Sequence, residues 1–282
     1  MDAGGFLRDR ARTQGERKIG LENLRVVLVG TRNPLNLGAV ARAMSNFGAM
    51  HMRVVQPYEK AFREAVSAVG ASEVMKNAEE YATVAEAVAD CSLVVGTTAV
   101  GNREIRQPWR SLEKAGPLIR KRMTKENVAL LFGSEKWGLS NESLSYCHWL
   151  LRIPTREEHR SMNLGQAAAV CLYELSRRNK EREKLNTEDA ENDHREHREK
   201  TRKNGDAARP TAKMETMERV GAALLEALHK SGYVATRGSG LAEEKLRRML
   251  RRFQMEESDA EVLLGMVRKI LWKISHGNGE KK

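Results

Sequence analysis

The chain has 282 residues, enough for one domain of ordinary size plus an appended piece. Its 49 lysines and arginines against 38 aspartates and glutamates give a formal charge of +11, which favours a polyanionic partner through counterion release, although a basic surface also serves solubility. Three scattered cysteines (Cys91, Cys147 and Cys171) argue against a disulfide framework or a zinc site and fit a reducing cytoplasm; no apolar run approaches the roughly 20 residues that cross a bilayer and no hydrophobic signal opens the chain, so a soluble, unprocessed protein without membrane partners is expected.

Residues 1–22 are rich in Gly and Arg and poor in large apolar side chains, the composition of a mobile basic arm. From Leu24 the texture changes. Short β-branched runs at Arg25–Gly30, Met52–Gln56, Ser92–Thr97, Val128–Gly133 and His148–Ile153 alternate with helix-like stretches such as Ala39–Phe47 and Val84–Asp90. Strands apolar on both faces and separated by helices predict an α/β domain over 23–178, with a parallel sheet covered by helices on both sides. Residues Arg177–Arg209 then carry 11 basic and 9 acidic residues with Leu185 as the one large apolar side chain, which reads as a helix stub running into a charged linker, 179–213. Helical periodicity returns over 214–276, ahead of a short tail at 277–282. Met217, Val220, Leu224 and Leu228 form one stripe, Leu246, Met249, Leu250 and Phe253 a second, and Val262, Met266, Ile270 and Ile274 a third. Three stripes predict a small helical bundle. On its middle helix Lys245, Arg247, Arg248, Arg251 and Arg252 are expected to point away from the apolar stripe, as a solvated face or a phosphate-contacting one.

The chemistry is concentrated in three Gly- and Asn-rich segments. No G-x-x-x-x-G-K-[ST] occurs, and the turn after the first strand reads TRNPLNLG in place of G-x-G-x-x-G, which disfavours a kinase, an NTPase or a standard dehydrogenase. In NPLNLGAVARAMSNFG, from Asn33 to Gly48, Pro34 stiffens the turn, Asn36 is placed to cap the helix and Gly38 permits close approach. Arg42, flanked by Ala41, Ala43 and Met44, suits a site role, with a buried ion pair as the alternative. In LLFGSEKWGLSNESL, from Leu130 to Leu144, Gly133 and Gly138 bracket a loop in which Glu135 either accepts a ligand hydrogen bond or stabilises the loop, and Ser140 to Ser143 look like a helix N-cap. In IPTREEHRSMNLGQAAAV, from Ile153 to Val170, Ser161 and Asn163 stand at the mouth of a small-residue helix. No metal-ligand cluster is apparent.

These three segments, in this order and at these distances, resemble the signature motifs of the SPOUT superfamily of RNA methyltransferases, in particular the SpoU/TrmH-type ribose methylases, over Leu24–Arg177. The tail HKSGYVATRGSGLAEEKLRRMLRRF resembles the C-terminal helical extension of the TrmJ branch. The resemblance implies a deep trefoil knot in the C-terminal part of the sheet, an S-adenosylmethionine site within it, and a homodimer. Carried over by position, Thr97, Thr98, Ala99, Gly133, Ile153, Ser161 and Met162 surround the cofactor. Asn36, Arg42, Glu135, Ser161 and Asn163 form the polar centre, with Arg42 reaching the cofactor bound by the partner subunit. The implied reaction methylates the ribose 2′-hydroxyl of a pyrimidine at the first anticodon-loop position of tRNA, position 32. The alternatives are ribose methylation of ribosomal RNA or another tRNA site, and a knotted RNA-binding protein without catalysis. Because a guanidinium, with a pKa above about 12, is a poor base, Arg42 is expected to clamp the target phosphate and stabilise the developing alkoxide, leaving the proton to phosphate or water.

Overall fold

A computed structural model describes residues 20–67, 72–99, 107–177, 210–234 and 239–276. The expectations for the basic arm, the charged linker and the tail fall almost wholly outside these residues. At their edges two boundaries move: Leu21 is buried in the main core, and Thr211 and Ala212 are already docked, as described below.

Seven parallel strands form one sheet in the order β3-β2-β1-β6-β4-β7-β5. They are β1 (Leu24–Val29), β2 (His51–Val55), β3 (Glu79–Tyr81), β4 (Leu93–Thr97), β5 (Trp109–Ser111), β6 (Val128–Phe132) and β7 (Trp149–Arg152). The five apolar runs expected from sequence are all strands. The two additional strands, β3 and β5, are three residues long, polar and at the sheet edges, where an apolar pattern is not needed. The helices of this domain are α1 (Pro34–Phe47), α2 (Glu59–Ser67), α3 (Glu73–Lys76), α4 (Val84–Ala87), α5 (Leu112–Met123), α6 (Asn141–Ser145) and α7 (Leu164–Ser176). They divide the interior into two clusters, one on each face of the sheet. Val26, Leu28, Leu130 and Phe132 face α1, α5 and α7 on one side, while Val27, Ala129 and Leu131 face α4 and α6 on the other. Every residue of β6 is buried, because neighbours pair on both its edges and helices cover both its faces.

Helix α7 follows β7 yet packs on α1 and α5. Gly165 allows the closest part of that approach, since a Cβ there would lie 2.6 Å from the Cβ of Ala39.

Opposite the strand ends that carry the motifs, Arg53 of β2 is buried and its guanidinium forks onto Asp90 (2.5 and 3.1 Å), with Nε on Glu79 (3.0 Å) and a further bond to the carbonyl of Ala87 (2.9 Å). Burial alone would raise the Asp90 pKa. The hydrogen bond and charge of Arg53 outweigh it and hold the carboxyl near pH 2, against an ordinary 3.8.

The second domain consists of α8 (Met214–Lys230), α9 (Ser239–Phe253) and α10 (Glu257–His276). The first expected stripe holds: Met217 and Val220 are buried, and Leu224 and Leu228 half-buried. The second divides, with Leu250 buried and Met249 and Phe253 exposed. The third is corrected. Ala260, Leu264, Val267 and Leu271 form the buried face of α10, whereas Val262, Met266 and Ile270 are more than half exposed. Helix α10 is apolar on two sides, and its packing is chiefly on α8, while α9 packs on α8 and on α6 of the first domain. A regular three-helix bundle would have used both sides.

The two domains are joined by directed polar contacts. The backbone N–H groups of Met214 and Glu215, unsatisfied at the start of α8, donate to the carbonyls of Cys91 and Ala89 (2.9 and 3.1 Å). Thr211 donates its N–H to Glu126 (3.1 Å) and receives the guanidinium of Arg122 on its hydroxyl.

The depressed Asp90 pKa fixes the sign of a pH effect. Because the folded value lies below the unfolded one, the contribution is complete above about pH 4 and is lost as pH falls towards about 2. Asp90→Asn is expected to lower stability at pH 7 by about 1–2 kcal/mol, discounted for the exposure of Asp90, and the gap to the parent is expected to close across that acid window in urea unfolding.

Candidate active site

Strands β1, β6, β4 and β7 are consecutive in the sheet and parallel, so the segments leaving their C-terminal ends emerge along one edge. These segments begin at Gly30, Thr97, Gly133 and Ile153, and three of them carry the Asn- and Gly-rich motifs. They enclose a cavity of about 600 Å³. Its wall includes all seven residues expected to surround a cofactor, namely Thr97, Thr98, Ala99, Gly133, Ile153, Ser161 and Met162, together with Asn36, Glu135 and Asn163 of the expected polar centre.

The middle motif forms a tight loop. Ser134 and Gly138 bridge each other, the Gly138 N–H bonds the Ser134 carbonyl (2.8 Å), and the Trp137 N–H bonds the Ser134 hydroxyl (3.3 Å). Gly133 makes that closure possible: a Cβ there would stand 2.0 Å from the carbonyl carbon of Gly138. Ser140 caps α6, as its segment predicts.

Asn36 does not cap α1, although its position suggested it. The cap of α1 is Asn33, whose side chain accepts from the Leu35 N–H (2.9 Å) with Pro34 opening the helix. Asn36 sits in the first turn, and its side chain is free to join the motifs. Its Nδ2 donates to Glu135 Oε1 (2.9 Å) and its Oδ1 accepts from Asn163 Nδ2 (3.0 Å). Asn163 in turn caps α7, its Oδ1 accepting from the Gly165 and Gln166 N–H groups (2.9 and 3.4 Å). Glu135 is therefore held by a donor of the first motif, and the first motif by a donor of the third.

Arg42 is not part of this wall. It lies on the exposed outer face of α1, beside no ion-pair partner among the described residues, so the buried ion pair is ruled out and the cavity of its own chain is out of its lining reach. Leu35, 78 % exposed, shares that helix.

Several wall residues were not singled out from sequence. Leu139, Leu151, Thr155 and Arg160, in or beside the motif segments, all line the cavity, with the Thr155 hydroxyl donating to the Arg160 carbonyl (3.2 Å). Trp137, exposed and with Lys136 Nζ 4.8 Å above its ring, stands at the rim. Among the described residues no cluster of His, Cys, Asp and Glu could hold a metal, and no helix is long and apolar enough to cross a membrane.

The basic face expected on α9 splits in two. Arg247 and Arg251, expected to point outward, are buried and paired with Glu218 of α8. Arg247 also donates to Ser145 (3.0 Å) and Glu243 (2.6 Å) and lies 4.2 Å over the ring of Tyr146. The reason is their i, i+4 spacing on a side that meets α6 and α8, where aliphatic stems pack and a carboxylate waits. Lys245 and Arg252 are exposed, and Arg248 pairs with Glu244 (3.2 Å).

Three substitutions test this construction. Gly133→Ala is expected to open the Ser134–Gly138 loop, lowering the melting temperature and weakening S-adenosylmethionine at least about ten-fold by calorimetry, since a backbone clash cannot be relieved by a rotamer change. Glu218→Ala strands the buried guanidinium of Arg251 and removes one of the two carboxylates on Arg247, and is expected to cost about 3 kcal/mol in urea unfolding of the full chain, whereas Arg251→Met, which removes a buried charge and leaves Glu218 paired with Arg247, is expected to cost less than half of that.

Residues 23–173 match the SpoU rRNA Methylase family. The chain is 34 % identical over 253 residues to the tRNA (cytidine/uridine-2′-O-)-methyltransferase TrmJ of Cronobacter sakazakii, covering 89 % of this chain and 96 % of that protein. It is 34 % identical over 257 residues to the same-named protein of Salmonella typhimurium, covering 89 % and 97 %. The crystal structure of TrmJ from Z. mobilis ZM4 superposes with a TM-score of 0.69 at 28 % identity, over 87 % of this chain and 98 % of that one. With more than half of its length matched, and with the matched segment being the domain whose strand ends build this cavity, the chain belongs to the SpoU rRNA methylase family.

Proposed function

We propose that the protein is an S-adenosylmethionine-dependent tRNA 2′-O-methyltransferase that modifies a pyrimidine ribose in the anticodon loop, at position 32. The observation that carries this reading is the Asn163–Asn36–Glu135 chain on the wall of a cavity lined by every residue the family resemblance assigns to the cofactor. The TrmJ relatives, matched over nearly their full length, are named for transfer to cytidine and uridine 2′-oxygens of tRNA.

The cavity fits the cofactor by its chemistry. Ala99, Leu139, Leu151 and Ile153 offer an apolar surface, Thr97, Thr98, Ser161 and backbone groups of the motif loops offer polar partners, and Gly133 leaves space that a side chain would fill. When bound, S-adenosylmethionine supplies an electrophilic methyl group on a sulfonium. The protein's own contribution is to position the groups around it. Asn36 fixes one oxygen of Glu135, so the carboxylate keeps a single orientation at the cavity wall, and Asn163 fixes Asn36. Ser161 supplies a hydroxyl at the mouth. Arg42 clamps the phosphate next to the target ribose and stabilises the alkoxide that forms as the hydroxyl proton leaves to phosphate or water.

The location of Arg42 supports a homodimer. It is exposed on α1, away from the cavity of its own chain, and Leu35 of α1 and Val170 and Tyr173 of the adjoining α7 are exposed apolar residues on the same helix pair. A second copy packed on these helices would cover them and bring Arg42 to the partner's cavity. The return of α7 from β7 across to α1 is consistent with the knotted threading of the family.

Incubating the protein with total tRNA and labelled S-adenosylmethionine, then mapping the labelled ribose, tests reaction and position together; label at a base, or at a ribose outside the anticodon loop, would overturn the assignment. Arg42→Ala is expected to abolish transfer with cofactor affinity nearly intact. Co-expressed Arg42→Ala and Glu135→Ala subunits are expected to recover about a quarter of parental activity, because a mixed dimer holds one complete site only if Arg42 acts across the interface; no recovery would place Arg42 in its own chain's site.

A further inference from the structure

At the opposite end of β7 from the motif cavity lies a second, half-open cavity, about 290 Å³, between the segment Gln107–Pro108, the residues Cys147 and His148 that lead into β7, and helix α9. From α9 it is lined by Lys245, Arg248 and Arg252, at i, i+3 and i+7, which is one helix face. This is the face left over when Arg247 and Arg251 turn inward to Glu218. No described residue lining the cavity is acidic; Glu244, which pairs with Arg248 from outside the lining, is the nearest compensation. Lys245 and Arg252 have no ion-pair partner among the described residues.

The floor of the cavity is as telling as its rim. His148 is 9 % exposed, and its Nδ1 accepts the backbone N–H of Val94 (3.1 Å), which assigns the ring proton to Nε2. Burial, with Arg251 adding to it, holds the ring pKa near 3, so the imidazole is neutral at physiological pH and still a donor. That Nε2–H has no partner among the described residues. Nearby, the buried guanidinium of Arg251 is neutralised by Glu218 through Nη2, while its Nε and Nη1 make no hydrogen bond. Gln107 Nε2 donates to the Leu144 carbonyl (2.9 Å) and the Cys147 thiol to the Ser143 carbonyl (3.7 Å), so the cavity offers the Gln107 amide oxygen as an acceptor, while its charged lining groups are all cations.

We infer that this cavity is a phosphate site, built from His148 Nε2–H, Lys245, Arg248 and Arg252, which takes a backbone phosphate of the RNA substrate at a point remote from the methyl-transfer cavity. The inference rests on the reading of RNA as substrate given above. A single phosphodiester, with two acceptor oxygens and one negative charge, matches a neutral buried donor facing a cationic helix face. The site anchors and carries no sequence information. Because it sits at the seam between α9 and β7, it also ties RNA binding to the docking of the second domain.

The test is the salt dependence of tRNA binding by the full-length protein. Lys245→Gln with Arg252→Gln, both exposed positions, is expected to weaken tRNA binding about ten-fold at low salt and to reduce the slope of log K against log salt by about one. Lys60→Gln with Lys76→Gln, two exposed lysines on α2 and α3, is the charge-matched control and is expected to leave the slope within about 0.3 of the parent. In the parent, a short oligoribonucleotide is expected to shift the His148 ring N–H resonance in NMR, and the shift is expected to vanish in the Lys245/Arg252 variant. An equal slope change in both pairs would overturn the site as delocalised surface charge. A resonance shift with inorganic phosphate, combined with an unchanged tRNA slope, would make it a free-anion site and overturn its assignment to RNA. A slope change in the Lys245/Arg252 variant, together with a parent protein that transfers no methyl label, would sink the methyl-transfer reading and leave the phosphate site standing; transfer by the parent with no slope change in that variant would do the reverse.

Discussion

Two side-chain amides hold this site together. Asn36 spends its donor on Glu135 and its acceptor on Asn163, and Asn163 spends its acceptor on the start of α7. Only a neutral group that both donates and accepts can stand at Asn36, because a carboxylate there would face Glu135 with like charge and a hydroxyl would not reach both partners. Segments that leave β1, β6 and β7 are joined across 99 and 127 residues of chain, yet they are locked to one another by bonds of ordinary length in a partly buried setting. The sheet brings these segments to one edge; the amides set their mutual orientation. Backbone closeness at Gly133 and Gly165 is what lets the amides meet.

A second set of polar contacts, at the other end of the molecule, decides how the helical domain sits. Burying Arg247 and Arg251 against Glu218 gains little net stability, since desolvation offsets most of the attraction. What it supplies is direction. The guanidinium of Arg247 must find Ser145, Glu243, Glu218 and the face of Tyr146 together, and only one placement of α9 on α6 does this. Thr211, between Arg122 and Glu126, pins the start of the domain in the same way.

Much of this was readable from residues. The five buried strands announce themselves because a strand covered on both faces must be apolar throughout, and the three motifs carry enough Gly and Asn to mark where backbone turns tightly at a ligand. The parts that were not readable share a cause, which is that they depend on partners distant in sequence. Asn36 reads as the cap of α1 until Glu135 and Asn163 are placed beside it, and the cap itself is Asn33. Arg247 and Arg251 look like surface charge until Glu218 is placed beside them. The two apolar sides of α10 are equivalent in periodicity, and the choice of Leu264 and Val267 over Met266 and Ile270 follows from where α8 lies. Strands β3 and β5 owe their existence to neighbours with unpaired edges, and their own residues hardly favour extension.

The position of β6 has a consequence for how the chain reaches this state. It is inserted between β1 and β4, with Leu24 opposite Val128 on one side and Leu93 opposite Val128 on the other. As the polypeptide leaves the ribosome, β1 is made 104 residues before its partner on the joining strand (Leu24 to Val128) and β4 only 35 (Leu93 to Val128), and each presents an apolar, unpaired edge in the interval. Such an intermediate is slow to complete because its decisive pairing is remote in sequence, and it is vulnerable to association through those edges. Closure of the sheet therefore waits on residue 132 for the joining strand and on residue 152 for β7, the other neighbour of β4.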